Sequence, residues 1–235
     1  MGNYFTNQKP ISNFCVLNLN ISDIYTDHKF LDSLISLINV YDPNIICLQE
    51  VSHNIEKILK KELNKKYSYF SQSQYEDEKY CMIISAFPIQ KYHELKLRLT
   101  KDKRLHLIKF NYDFVKNNKI INKKIIITTC NLNKINREKS NDIISEYYGI
   151  YEFFEKIYGQ YDLLIFCTDT NKNNYFFKYN EEWQNTNKNL LDSNLILFKS
   201  HSFDSYNFRI INLESMITDL KYSNHNCILV NFKLK

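Results

Sequence analysis

Short apolar runs that stop abruptly on polar side chains recur along the chain. Phe14 to Asn20 ends on Asn20, Ile45 to Leu48 ends on Gln49 and Glu50, and Leu163 to Cys167 is followed by Asp169 and Asn171. Each run reads as a buried strand whose end opens onto something polar. Between the first two, Phe30 to Val40 carries Leu31, Leu34, Ile35 and Ile38 at helical spacing, and Asp42-Pro43 stops it. Ile55 to Leu63 is a second amphipathic helix, so the chain opens as strand, helix, strand, helix.

The texture then changes. Tyr67 to Phe70, Tyr80 to Ser85, Tyr92 to Leu97, Leu105 to Asn111 and Lys124 to Cys130 are short strands with polar connections, the pattern of antiparallel sheet. Lys116-Asn117-Asn118-Lys119 predicts a hairpin loop. Arg137 to Tyr158 predicts a long helix with Ile143, Ile144, Tyr147, Tyr151, Phe154 and Ile157 on its core face, and Gly159 signals its end. Asn171 to Asn189 reads as polar loop. Leu195 to Phe198, Phe208 to Ile211 and Cys227 to Phe232 complete the strands, and Ser223-Asn224-His225 stands just before the last. Strands and helices mixed in this order predict an α/β (α+β) fold, a four-layer αββα sandwich of two mostly antiparallel sheets flanked by helices. No repeat or internal boundary appears, so residues 13–235 are expected to form one domain behind a flexible N-terminus of residues 1–12.

Composition bounds the function without choosing it. The 235 residues suffice for a substantial core, and the excess of 31 basic over 26 acidic residues gives a net charge of +5, which permits a polyanionic partner. With three glycines and three prolines, turns must be built from Asn, Asp, Ser and Lys. Six cysteines, none in a CxxC pair and most inside apolar runs, point to buried thiols in a reducing compartment rather than to zinc or a disulfide framework. No apolar run approaches the length of a membrane span and no secretory signal is present. Met-Gly-Asn-Tyr-Phe-Thr matches the loose myristoylation pattern through Gly2.

The four polar strand ends form a chemically coherent set. Glu50 and Asn20 offer hard oxygen ligands suited to Mg²⁺. Asp169 and Asn171, two apart on extended backbone, leave the same face and can orient or deprotonate a water. His225 can donate to a phosphate oxygen. Metal-assisted attack of water on a phosphoester needs those roles together. Taken one at a time, the same residues fit plainer readings: an Asx turn at Asp169, a solvated strand-end charge at Glu50, a core histidine at His225.

In order and spacing the chain resembles the endonuclease/exonuclease/phosphatase superfamily, the fold of deoxyribonuclease I. The resemblance lies in Val16-Leu-Asn-Leu-Asn20-Ile21, Asp42-Pro-Asn-Ile-Ile-Cys-Leu-Gln-Glu50-Val51, Ser85-Ala-Phe-Pro-Ile89, Thr129-Cys-Asn-Leu132, Thr168-Asp-Thr-Asn171 and Ser223-Asn-His225. Asp169-Thr-Asn171, Thr128-Thr129 and Leu99 to Arg104 are similar to the tyrosyl-DNA phosphodiesterase 2-like members. The resemblance implies a Mg²⁺-dependent phosphodiesterase (Mn²⁺ substituting) on nucleic acid, DNA before RNA, acting as a monomer in the cytoplasm or nucleus. By position, Asn20 and Glu50 would hold the metal. Asp169 and Asn171 would place the water, and His225 and Asn131 would face the phosphate. A 5′-tyrosyl-DNA adduct is the substrate the subfamily suggests.

Three positions depart from the family's pattern. Asn131 stands where the family has histidine, Asn224 where it has aspartate, and Thr168 where it has glycine. An amide can donate to a phosphate oxygen but carries no charge. The resemblance therefore leaves two further readings: a weakened or silent member that binds nucleic acid or protein, and a phosphatase on a small or lipid phosphate. Arg137 and Arg104 are candidate phosphate contacts, the latter within a basic strip that also reads as a wet loop. Trp183 is either a stacking surface for a base or a loop anchor.

Overall fold

The computed structural model of the chain describes residues 10–21, 28–73, 79–96, 104–132, 140–169, 183–185, 194–211 and 226–235. In chain order the first half holds β1 (Asn13–Asn20), α1 (His28–Tyr41), β2 (Ile45–Ser52), α2 (His53–Leu63), β3 (Tyr69–Gln72), β4 (Lys79–Ser85) and β5 (Lys91–Lys96). The second half holds β6 (Arg104–Lys116), β7 (Lys119–Asn131), α3 (Ser140–Tyr158), β8 (Leu163–Asp169), β9 (Gln184–Asn185), β10 (Asn194–Lys199), β11 (Phe203–Ile211) and β12 (Cys227–Leu234). The expected helix start at Arg137 and the loop expected around Asn171 fall largely outside the described residues.

Two six-stranded sheets result, ordered β11-β12-β1-β2-β4-β3 and β5-β6-β7-β8-β10-β9. Each is antiparallel except for one parallel pair near its middle, β1 with β2 in the first and β7 with β8 in the second. A parallel pair needs a crossover, and α1 and α3 lie in those two crossovers. The layers follow from side-chain alternation. Phe14, Val16, Ile45 and Cys47 point inward to meet Ile125, Ile127, Ile165 and Cys167 between the sheets. Leu17, Leu19, Ile46 and Leu48 point outward, under Leu34 and Ile38 of α1 and Ile55 and Leu59 of α2. On the far side Ile126, Leu164 and Phe166 are covered by Ile150 and Phe154 of α3. The order helix, sheet, sheet, helix is the predicted sandwich.

Local chemistry closes the elements. Asp42 takes φ 51° and its N–H bonds to the Ile38 carbonyl, ending α1 before Pro43. Asn117 and Asn118, at φ 51° and 58°, turn the predicted hairpin between β6 and β7, a two-residue turn of the kind that matches strand twist. Gly159 follows α3 without adopting positive φ. Ile11 lies within the stretch expected to be flexible, yet it is tied to β6 by hydrogen bonds to Asp113 and from Val115. All six cysteines are buried, with no disulfide among them. Among the described residues no helix is long and apolar enough to cross a membrane.

Candidate active site

The two parallel pairs end at the same edge of the sandwich, and their carboxyl ends face each other. Within the first sheet Asn20 is opposite Gln49, and within the second Asn131 is opposite Asp169. β1 and β2 both pack on β8 across the interface. Carboxyl ends of parallel strands are where open α/β sheets place their ligands. Here two sheets contribute such ends to one cleft.

Alternation would send Gln49 and Glu50 to opposite faces. A bulge prevents that. Leu48 pairs with Met82 and Val51 with Tyr80, so Gln49 and Glu50 together stand opposite Cys81 alone. Glu50 absorbs the extra residue by taking φ 57°, a left-handed conformation unusual for glutamate. Gln49 and Glu50 consequently both reach the second sheet. Gln49 Nε2 donates to Thr129 Oγ1 at 2.8 Å and to Asn18 Oδ1 at 2.7 Å. Glu50 Oε1 accepts from Asn131 Nδ2 at 2.6 Å, and Lys79 Nζ lies 3.3 Å from Oε2.

Asp169 is bound in the reciprocal direction. Its Oδ2 accepts from Asn20 Nδ2 at 2.5 Å, so an amide of the first sheet holds the carboxylate of the second. Asp169 is fully buried and Glu50 is 6% exposed. Beneath them Asn18 Nδ2 donates to the carbonyls of Thr168 and Leu195, and Asn194 Nδ2 donates to the carbonyl of Asn226 at the head of β12. A layer of amides and a hydroxyl therefore floors the cleft. Two of its oxygens, Gln49 Oε1 and Asn194 Oδ1, have no hydrogen-bond partner among the described residues.

The donor set tests the expected cation. Glu50 brings a carboxylate, Asn20 an amide group on the adjacent strand end, and Gln49 Oε1 a buried oxygen without a partner. Hard oxygens of this kind suit Mg²⁺, which takes one or two carboxylates and completes its shell with water and phosphate. Among the described residues no cluster of three or more His, Cys, Asp or Glu forms. These residues fit a divalent cation.

Of the residues singled out from sequence, Asn20, Glu50, Asn131 and Asp169 are brought together. Asn171, Arg137 and His225 lie outside the described residues, as do Gly2 and Asn224. Arg104 opens β6 two residues before His106, which pairs with Thr129, so its backbone stands at the same end of the second sheet as Asn131. Trp183 is a correction to the stacking role. It is only 5% exposed and its ring lies 4.9 Å from that of Phe154 under α3. It precedes Gln184, which pairs with Phe198 opposite Ile165. That level is four residues, about 13 Å of strand, from Asp169. Trp183 is packed against Phe154 and is not open at the cleft. Sequence reading missed Asn18, Thr129, Asn194 and Lys79. The first was signalled by its place two residues before Asn20 in an otherwise apolar strand; Lys79 carried no signal.

The sequence model of the Endonuclease/Exonuclease/phosphatase family matches residues 15–177. The chain belongs to that family. Solved structures with the same fold include TDP2 from Caenorhabditis elegans, with a TM-score of 0.75 at 14% identity over 94% of this chain and 74% of that one. D. rerio TDP2 complexed with single strand DNA product gives 0.75 at 15% identity, over 94% of this chain and 99% of that one. The human Nocturnin catalytic domain with bound sulfate anion gives 0.72 at 12% identity, over 95% and 94%. No curated protein matches the chain. Members of the family act on phosphate esters, and the cleft between the sheets is the part of this member built for polar chemistry.

Proposed function

We propose that this family member hydrolyses phosphodiester bonds in nucleic acid with a divalent cation, Mg²⁺ before Mn²⁺. The observation that carries this reading is the reciprocal pairing of Asn20 with Asp169 and of Asn131 with Glu50 across the two sheets. Four strand ends are thereby cross-linked around one cleft that holds two carboxylates. Glu50 and Asn20 are the residues that would hold the cation, which when bound supplies positive charge to a phosphate oxygen.

The chain's own residues supply the rest. Asp169, whose Oδ2 accepts from the Asn20 amide, would receive a proton from an attacking water. Asn171, two residues on, would share the orientation of that water. Asn131 would donate to a phosphate oxygen as charge develops. His225 would do the same from the segment before β12, whose entry residue Asn226 is bonded to Asn194 at the cleft floor. Arg137 and Arg104 are proposed as phosphate contacts along the bound strand. The DNA product held by the D. rerio TDP2 of like fold supports nucleic acid as the substrate class, and a 5′-tyrosyl-DNA adduct is the narrower form that the sequence resemblance suggests.

One observation favours a second reading. Asn131 is neutral and already gives one N–H to Glu50, so the position that the family fills with histidine brings no positive charge. A silent member would keep the cleft as a binding surface. Mg²⁺ titration against 5′-tyrosyl, abasic and plain oligonucleotides separates the two. Metal-dependent cleavage of any of them supports hydrolysis, and metal-dependent binding without cleavage supports the silent reading.

A further inference from the structure

Glu50 is held from two sides by unlike partners. Asn131 gives one carboxylate oxygen a neutral donor, while Lys79 brings a full positive charge to the other. Lys79 opens β4 opposite Ser52, next to the bulge, and its neighbour Tyr80 turns outward to bond Glu56 of α2. Alternation therefore turns Lys79 inward, toward the cleft. Its side chain is 29% exposed against 7% for that of Glu50. The ammonium stands at the mouth and the carboxylate lies within.

We infer that Lys79 is a substrate-phosphate contact, held on Glu50 until a divalent cation takes that carboxylate. The inference rests on the proposed function. A buried carboxylate needs a counter-charge, and Lys79 supplies one. A divalent cation on the same carboxylate would make the ammonium a like charge at close range and so weaken its hold on Glu50. The flexible four-carbon stem lets the ammonium swing without moving β4. The ammonium is the more exposed member of the pair, and a phosphate of a bound strand would meet it first.

Besides the carboxylate of Asp169 and the hydroxyl of Thr129, the described cleft is lined by Asn18, Asn20, Gln49, Asn131 and Asn194. Their amides are neutral donors. An ammonium-to-phosphate hydrogen bond is about twice as strong as a neutral one. Lys79 thus brings to the phosphate the charge that Asn131 lacks, from β4 rather than from β7.

The test uses Lys79→Met, which keeps the stem and removes the charge, and Lys79→Arg, which keeps the charge. Mn²⁺ affinity of the protein alone is read by electron paramagnetic resonance, and kcat/KM is read on a plain oligonucleotide at saturating Mg²⁺. Lys79→Met is expected to bind Mn²⁺ roughly threefold to tenfold more tightly, because the competing cation is gone. The same variant is expected to lose roughly 10–100-fold in kcat/KM, and Lys79→Arg to recover most of it. Tighter Mn²⁺ binding with unchanged hydrolysis overturns the phosphate contact. Mn²⁺ binding that Glu50→Gln abolishes but Lys79→Met leaves unaltered overturns this inference alone. Failure of the unaltered chain to bind Mn²⁺ overturns the proposed function, and this inference with it.

Discussion

Asn131 and Glu50 meet across the interface of the two sheets, with the amide nitrogen of one 2.6 Å from a carboxylate oxygen of the other. Both are nearly fully buried. Removing the amide leaves a buried carboxylate oxygen without that donor, which costs about 1–3 kcal/mol. Asn131→Ala is therefore expected to lower unfolding stability by about that amount in urea, and to lower hydrolysis by roughly 10²-fold through loss of a donor at the phosphate. The opposite change, Asn131→His together with Asn224→Asp, places imidazole and carboxylate where the family has them and is expected to raise kcat. Unchanged stability in Asn131→Ala would show that the contact holds nothing together.

The backbone at Glu50 gives a second prediction, which separates strain from chemistry. A non-glycine residue in the left-handed region is strained by roughly 1–2 kcal/mol. Glu50→Gly and Glu50→Ala both remove the carboxylate, but only glycine relieves φ 57°. Glu50→Gly is expected to be about 0.5–1 kcal/mol more stable than Glu50→Ala in equilibrium unfolding, after allowance for glycine's greater freedom in the unfolded chain, with hydrolysis lost in both. Equal stabilities would mean that the bulge stores no strain.

His106 gives a prediction in pH. It sits between the sheets, fully buried, with Nε2 2.9 Å from Ser71 Oγ and Nδ1 without a hydrogen-bond partner among the described residues. Burial pushes its pKa down from 6.5 to about 4, although Glu94 and Ser71 pull the other way. The folded chain therefore keeps His106 neutral at pH values where the unfolded chain protonates it. Its contribution is fully present above the unfolded value and is lost as pH falls from about 6.5 to about 4, by about 3 kcal/mol in all. His106→Gln is expected to flatten the stability curve over that window relative to the unaltered chain. A difference between the two proteins that does not change with pH there would contradict the assignment.

The strand ends were legible in the sequence because a polar residue closing an apolar run is a local signal. Asn20, Glu50 and Asp169 announce themselves that way, and the asparagine pair of the β6–β7 hairpin does so through turn chemistry. Their convergence was carried by the order of motifs, since nothing local tells Asn131 that Glu50 will lie opposite it in another sheet. The bulge was not legible. It depends on the pairing of β2 with β4, which is decided only once both strands are placed, and alternation read along β2 alone sends Gln49 and Glu50 apart. Trp183 misled because its neighbours in sequence are polar, while the ring itself is held by Phe154 from α3. Lys79 sits in a run of charged residues whose wet and functional members look alike until one is found against a buried carboxylate.

The central claim is that Glu50 and Asp169 serve one reaction from opposite sheets. Steady-state cleavage of an oligonucleotide at saturating Mg²⁺ by the unaltered chain, Glu50→Gln, Asp169→Asn and the double variant tests it most directly. Each single variant is expected to lose roughly 10³-fold or more in kcat, and the double variant little beyond either, because groups that act as a unit are not additive. Full cleavage by either single variant, from protein that folds as the unaltered chain does, would contradict the account.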